Sequence, residues 1–228
     1  MSLKELNSPI EFPLLGRGVG VRLLNVGKRY NREWIFRHCS YTFTSGKSYA
    51  ITGPNGSGKS TLLQVIAGAT LHNEGTIEYQ TTDNGQQTTD EAHHYKSIAL
   101  AAPYLELIEE MTAKEMLGFH SKFKPLIQSL SIEEMLKIVG LENAVNKQLR
   151  YFSSGMKQRL KLAQAFFSNT PVLLLDEPTT NLDADGIALY QNLISNYTKN
   201  KLVIVSSNVK EEYSFCEEVI EISDYKSA

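Results

Sequence analysis

The chain has 228 residues, with 23 Lys and Arg against 25 Asp and Glu, a formal net charge of −2. That length can bury a substantial core as one large domain or two small ones, and 42% apolar with 21% charged residues excludes wholesale disorder. A near-neutral balance argues against a protein that coats nucleic acid or an anionic membrane, so no nucleic-acid partner is expected.

No apolar run approaches the roughly 18–20 residues of a membrane span, and Met1 to Leu6 has no signal-peptide core. Cys39 and Cys216 stand far apart without ligand spacing, which predicts two reduced thiols in the core rather than a disulfide or a zinc site. A cytoplasmic chain is expected; if it serves a membrane, another chain does the spanning.

Residues 1–20, with Pro9, Pro13, Gly16, Gly18 and Gly20, read as an N-terminal arm. From Val21 the alternation is strand-like, through Leu23, Ile35-Phe36 and Tyr41-Thr42-Phe43 to Ser48–Thr52. The polar stretch from Tyr79 to Tyr95 reads as a surface loop or hairpin tip, with Asn84-Gly85 as its turn signal. Capping-box patterns at Thr112–Glu115 and Ser131–Glu134 open two helices, the second stopping near Gly140. Beyond Pro171 the pattern is strand (Val172 to Leu175), helix (about Ala184 to Tyr197), strand (Leu202 to Val205), helix, and a last strand around Val219 to Ile222. Apolar strands alternating with helices predict an α/β fold with a mostly parallel sheet covered on both faces and a helical insertion.

Gly53-Pro54-Asn55-Gly56-Ser57-Gly58-Lys59-Ser60-Thr61 lies between the predicted strand at Ser48–Thr52 and a helix carrying Leu62, Leu63 and Ile66. This is G-x-x-x-x-G-K-[ST] in its structural context, a P-loop whose backbone N–H groups cradle phosphates. Side chains at Gly56 or Gly58 would crowd that approach. Lys59 neutralises the β/γ-phosphates, the helix N-terminus adds positive partial charge, and the Ser60 hydroxyl can ligate Mg²⁺. A partner carboxylate is expected on another strand of the sheet. The apolar run Val172–Leu175 supplies it, ending in Asp176, expected in the Mg²⁺ shell, and Glu177, placed to polarise the attacking water. Paired acids at a strand end also serve as turns or helix caps.

Together with Phe152-Ser153-Ser154-Gly155-Met156-Lys157-Gln158-Arg159, these residues resemble the ATP-binding cassette (ABC) ATPases. The run is similar to the family signature Leu-Ser-Gly-Gly-Gln followed by Gln-Arg. Phe152 replaces Leu, Ser154 the first Gly and Met156 the Gln, while Ser153 and Gly155 match. A Ser and a Gly at a helix start make a second anion-binding end, although a plain polar cap has the same composition. The resemblance runs from about Val21 to Ile222. It implies a P-loop NTPase core with a small antiparallel β subdomain and an inserted helical subdomain over approximately 104–165, the whole forming one domain over 21–228. It implies that Tyr30 stacks on adenine, though an ordinary strand tyrosine would look the same, and that Asp183 lies at a dimer interface. It further implies that Ser153, Ser154, Gly155 and Met156 contact ATP held by the opposite subunit, so that two domains sandwich two nucleotides.

Two positions depart from the family. Pro103 stands where most members carry a glutamine, and a proline offers no side-chain donor or acceptor. Asn208 stands where a switch histidine is usual, and none of His38, His72, His93, His94 and His120 falls near that strand end. An asparagine can donate to a γ-phosphate oxygen but cannot carry imidazolium charge. The resemblance therefore implies Mg-ATP binding, ATP hydrolysis slowed at these two positions, and a second ABC subunit, identical or related. An integral membrane permease as partner would place the chain on the cytoplasmic face of the membrane, and the Ser-Ser-Gly-Met-Lys-Gln-Arg form resembles exporter-type subunits. A soluble scaffold ATPase of the iron–sulfur assembly kind and a slow, nucleotide-gated regulatory module are the alternatives.

Overall fold

A computed structural model describes residues 20–83, 86–88 and 94–226. The residues of the expected arm up to position 19 and the Asn84-Gly85 turn lie outside the described residues. In chain order the strands are β1 (Gly20–Tyr30), β2 (Glu33–Thr44), β3 (Ser48–Thr52), β4 (Glu74–Asp83), β5 (Gln86–Thr88), β6 (Ile98–Ala101), β7 (Val172–Asp176), β8 (Leu202–Ser206) and β9 (Glu218–Glu221). The α-helices are α1 (Lys59–Ile66), α2 (Ala113–His120), α3 (Ile132–Ile138), α4 (Ser154–Phe166), α5 (Ala184–Tyr197) and α6 (Lys210–Tyr213). The first strand thus begins at Gly20, one residue before the expected start.

The strands form a parallel sheet of order β6-β7-β8-β3-β9 and a smaller antiparallel sheet of order β2-β1-β4-β5. Every residue of β7 and β8 is buried, as expected of parallel strands covered on both faces. Their side chains alternate between two cores. Val172 and Leu174 of β7, with Leu202 and Ile204 of β8, join a core shared with β1, β2 and α1. Leu173 and Leu175, with Val203 and Val205, join a second core shared with α2, α3, α4 and α5. The sheet is therefore the common wall of both cores, and β7 and β8 end at one edge of that wall.

Three of the helices, α2 to α4, lie between β6 and β7 in the chain. The capping boxes expected at Thr112 and Ser131 are both formed, each hydroxyl accepting from the N3 backbone N–H while the N3 glutamate accepts from the cap N–H. Such caps stabilise a helix by about 1 kcal/mol each. The second helix ends as expected: Gly140, just past its C-cap Val139, takes φ 69°. Within the polar stretch after Tyr79, Thr81, Thr82 and Asp83 pair antiparallel with Thr88, Gln87 and Gln86. Among the described residues no helix is long and apolar enough to cross a membrane.

Candidate active site

The phosphate loop leaves the C-terminal end of β3 and closes into α1 at Lys59. The N-cap, Gly58, has φ 106°, and no side chain caps the helix. The first-turn N–H groups are thereby left to an external acceptor. The turn is tightened by the Ser57 N–H donating to the Pro54 carbonyl at 3.1 Å. A Cβ on Gly58 would lie 2.4 Å from Cγ2 of Ile35 on β2. At Gly56 a Cβ would meet nothing within 4 Å. Crowding at Gly58 thus comes from the protein itself, whereas Gly56 opens onto free space. Lys59 is only 5% exposed, and its Nζ donates to the Gly53 carbonyl at 2.8 Å and the Pro54 carbonyl at 3.1 Å. A cavity of about 220 Å³ is lined by Ile35, Asn55, Gly56, Gly58, Lys59, Ser60, Thr61 and Glu177.

Asp176 ends β7, opposite Ser206 at the end of β8. It is 1% exposed, and its Oδ1 has no hydrogen-bond partner among the described residues. Burial raises its carboxyl above the ordinary aspartate value, the Ser206 and Ser60 hydroxyls draw it back, and Glu177 adds repulsion. The loop serine and the strand carboxylate expected to share a cation thus meet. Glu177 follows in a left-handed backbone, φ 41°, which turns its exposed side chain out of the sheet and into the lining of the same cavity. Its N–H donates to the Ser206 carbonyl at 2.9 Å. Asn208, two residues past β8, reaches the loop from the other side, its Nδ2 donating to Oδ1 of Asn55 at 2.9 Å.

The remaining expected residues lie apart from this cavity. Ser153 caps α4, its hydroxyl accepting from the Met156 N–H at 3.2 Å. With Ser154, Gly155 and Met156 it borders a second cavity of about 350 Å³, which Gly140, Arg159, Asn181, Leu182 and Asp183 complete. Asp183 caps α5 through the Gly186 N–H at 2.9 Å and pairs with Arg159 at 3.1 Å. Tyr30 ends β1, 48% exposed, with the Lys28 ammonium 4.7 Å from its ring centroid, and it does not line the phosphate-loop cavity. The Pro103 carbonyl accepts from Lys161 Nζ at 2.6 Å. The next residue, Tyr104, has its hydroxyl pushed up to about 12, chiefly by burial. A hydrogen bond with Gln64 opposes this shift, and the nearby Asp176 charge adds to it.

Three site residues are absent from the sequence expectations. Ile35 has no pattern signal, because a half-buried β-branched residue on a strand looks ordinary. Ser206 has one in hindsight, as the single polar residue closing the apolar run Leu202–Val205. Gln158, 2% exposed on α4, donates from Nε2 to the Pro178 carbonyl at 2.8 Å. Its place in the signature run hid a role in holding the turn after Glu177.

The ABC transporter family profile matches residues 36–180. The uncharacterized ABC transporter ATP-binding protein YybJ of Bacillus subtilis is 34% identical over 89% of this chain and 92% of its own length. The cytochrome c biogenesis ATP-binding export protein CcmA of Rhizobium meliloti is 29% identical over 78% of this chain and 86% of its own. Among solved structures, a dimeric ATP-binding cassette in a post-hydrolysis state bound to ADP and Pi superimposes with a TM-score of 0.74 at 26% identity, covering 88% of this chain and 93% of that one. The two-sheet architecture, the phosphate loop with its facing carboxylates and these matches converge: the chain belongs to the ABC transporter ATP-binding family and is an ATP-hydrolysing cassette.

Proposed function

We propose that the chain energises a membrane transporter by closing on ATP with a second cassette, identical or related. The observation that carries this reading is that one cavity is lined by both the phosphate loop and Glu177. Phosphates seat against Gly56, Gly58 and the open first turn of α1, with Lys59 supplying charge. The Glu177 carboxylate, at the cavity wall, orients and deprotonates the attacking water, and the Asn208 amide donates to the transferring phosphate. Asn208 stays neutral where an imidazolium could carry charge, and Pro103 contributes no side-chain polar group, so turnover is slow.

Among the described residues no three His, Cys, Asp or Glu converge. The donor set at the loop is one hydroxyl, Ser60, and one buried carboxylate, Asp176, whose Oδ1 is unpartnered. Together with phosphate oxygens this suits Mg²⁺, a hard cation that takes few protein ligands. When bound, Mg²⁺ neutralises developing charge on the phosphoryl oxygens.

The second cavity, at the start of α4, is the surface that meets the partner's nucleotide, with Ser153, Ser154, Gly155 and Met156 contacting it and Asp183 at the interface. Tyr30 provides the adenine platform. Residues from approximately 104 to 165 form an inserted helical subdomain within one cassette over 21–228. An integral membrane permease, with this chain docked on the cytoplasmic face of the membrane, is the partner that converts closure into transport. Export is the direction favoured by the likeness to CcmA. Mutation of Glu177→Gln tests the reading. Phosphate release falls at least a hundredfold while ATP is retained, and ATP drives dimer formation in size-exclusion chromatography; wild-type turnover in this variant would overturn it.

A further inference from the structure

Glu212, on α6, is 2% exposed, an unusual place for a carboxyl group outside the phosphate-loop cavity. Its Oε1 accepts the Thr179 N–H at 2.8 Å and also the Thr179 hydroxyl, while Oε2 is buried without a partner among the described residues. The Glu212 backbone is itself pinned, its carbonyl accepting from the buried Tyr190 hydroxyl of α5 at 2.7 Å. Thr179 lies within the turn that the Thr180 N–H closes onto the Glu177 carbonyl at 3.1 Å; Glu177 opens that turn with φ 41°, and such strain persists only where surrounding contacts over-determine it. Two backbone donors of that turn, the Glu177 and Thr179 N–H groups, are taken up by Ser206 and Glu212 respectively. Both acceptors belong to the short stretch from the last residue of β8 to α6, and Asn208 lies between them. The turn that carries Glu177 and the segment that carries Asn208 are therefore riveted at two points.

We propose that Glu212 is a positioning residue for ATP hydrolysis: by holding Thr179 it fixes the turn that aims Glu177 and locks it to the segment presenting Asn208. The proposal rests on the reading of Glu177 as the water-orienting carboxylate. Nothing in it requires Glu212 to touch nucleotide, so the phosphate loop and its affinity for ATP stay intact when Glu212 is changed. Small displacements of a reacting group cost large factors in rate, which makes the turnover number, rather than binding, the sensitive quantity.

Steady-state phosphate release by the full chain, with ATP affinity and thermal unfolding measured in parallel, decides the matter. Glu212→Ala lowers kcat by roughly tenfold to thirtyfold with KM and Kd for ATP within about twofold of wild type. Glu212→Gln, which keeps an oxygen acceptor toward Thr179, restores kcat to within about threefold. Thr179→Val, which keeps the N–H but loses the hydroxyl, lies between them, and its effect vanishes in the Glu212→Ala background. A Glu212→Ala protein with wild-type kcat, or one whose activity falls only with its folded fraction, overturns the proposal; so does an equal loss in kcat and in ATP affinity. Should Glu212→Ala not fold, Thr179→Ser and Thr179→Val replace it: a several-fold higher kcat for serine supports the proposal, and equal rates overturn it. Glu177→Gln run alongside separates the two ideas, because wild-type turnover there removes the reading of Glu177 itself, whereas its loss with Glu212→Ala unaffected removes only the positioning role.

Discussion

Gly58 carries two independent constraints, a φ of 106° and the Ile35 methyl group 2.4 Å from where a Cβ would sit. Backbone strain of this kind costs about 1–3 kcal/mol, and overpacking a similar amount. Gly58→Ala is expected to destabilise by about 2–5 kcal/mol in urea unfolding, and by about 1–2 kcal/mol less when Ile35→Ala is already present. The glycine pattern was legible in the sequence, as was the strand-end pair Asp176 and Glu177, because both depend on local chain geometry. Ile35 was not legible: it comes from a strand well upstream, and its role arises only when the small sheet folds over the loop. Asn208 was legible only through the family resemblance, as the residue standing where a switch histidine is usual, and its bond to Asn55 joins residues far apart in sequence and could not be read from either neighbourhood.

His120, in the last turn of α2, ties that helix to the end of α4 through Ser168, with Nε2 and Oγ 2.8 Å apart. Burial, with a smaller push from the Lys124 ammonium, lowers its value to about 4, so the folded chain holds a neutral imidazole. The unfolded chain takes up that proton near pH 6.5. Stability is therefore fully present above about pH 6.5 and declines as the pH drops toward 4, by about 2 kcal/mol from this group. His120→Gln, which preserves a hydrogen-bonding side chain but cannot titrate, should flatten that part of the urea-midpoint profile between pH 4 and 6.5. At the level of elements, the sequence specified most clearly what is periodic or capped: the apolar runs of β7 and β8, and the two capping boxes. It said least about β1 and β2, whose pairing is interrupted between Leu23 and Val26, Val26 and Lys28, and Lys28 and Arg29. There Asn25 and His38 take left-handed backbones and bond to each other at 2.9 Å. Such bulges break the period-2 pattern on which strand reading relies.

Because one sheet walls two cores, adjacent residues of β7 serve different halves of the molecule. Leu173 packs with the helices between β6 and β7, Leu174 with α1 and the antiparallel sheet. Substituting either by alanine is expected to cost about 3 kcal/mol, and each should shift a single unfolding transition without splitting it, since neither core exists without the shared wall. Separate transitions, seen by tryptophan fluorescence of Trp34 and by far-UV circular dichroism, would mean that the halves fold independently. The division into a mostly parallel core, a small antiparallel sheet and inserted helices was legible as architecture. The distribution of each strand's two faces between the cores was not, because it depends on which helix returns to which side.

The Lys59 ammonium, lastly, is already bonded to two carbonyls of its own loop. An incoming phosphate therefore meets a cation already oriented by two internal acceptors, with one of its three N–H donors left to take. Part of the lysine's electrostatic attraction is spent on keeping the loop's shape, which lowers the net affinity it can confer while sparing the ligand the cost of organising the loop.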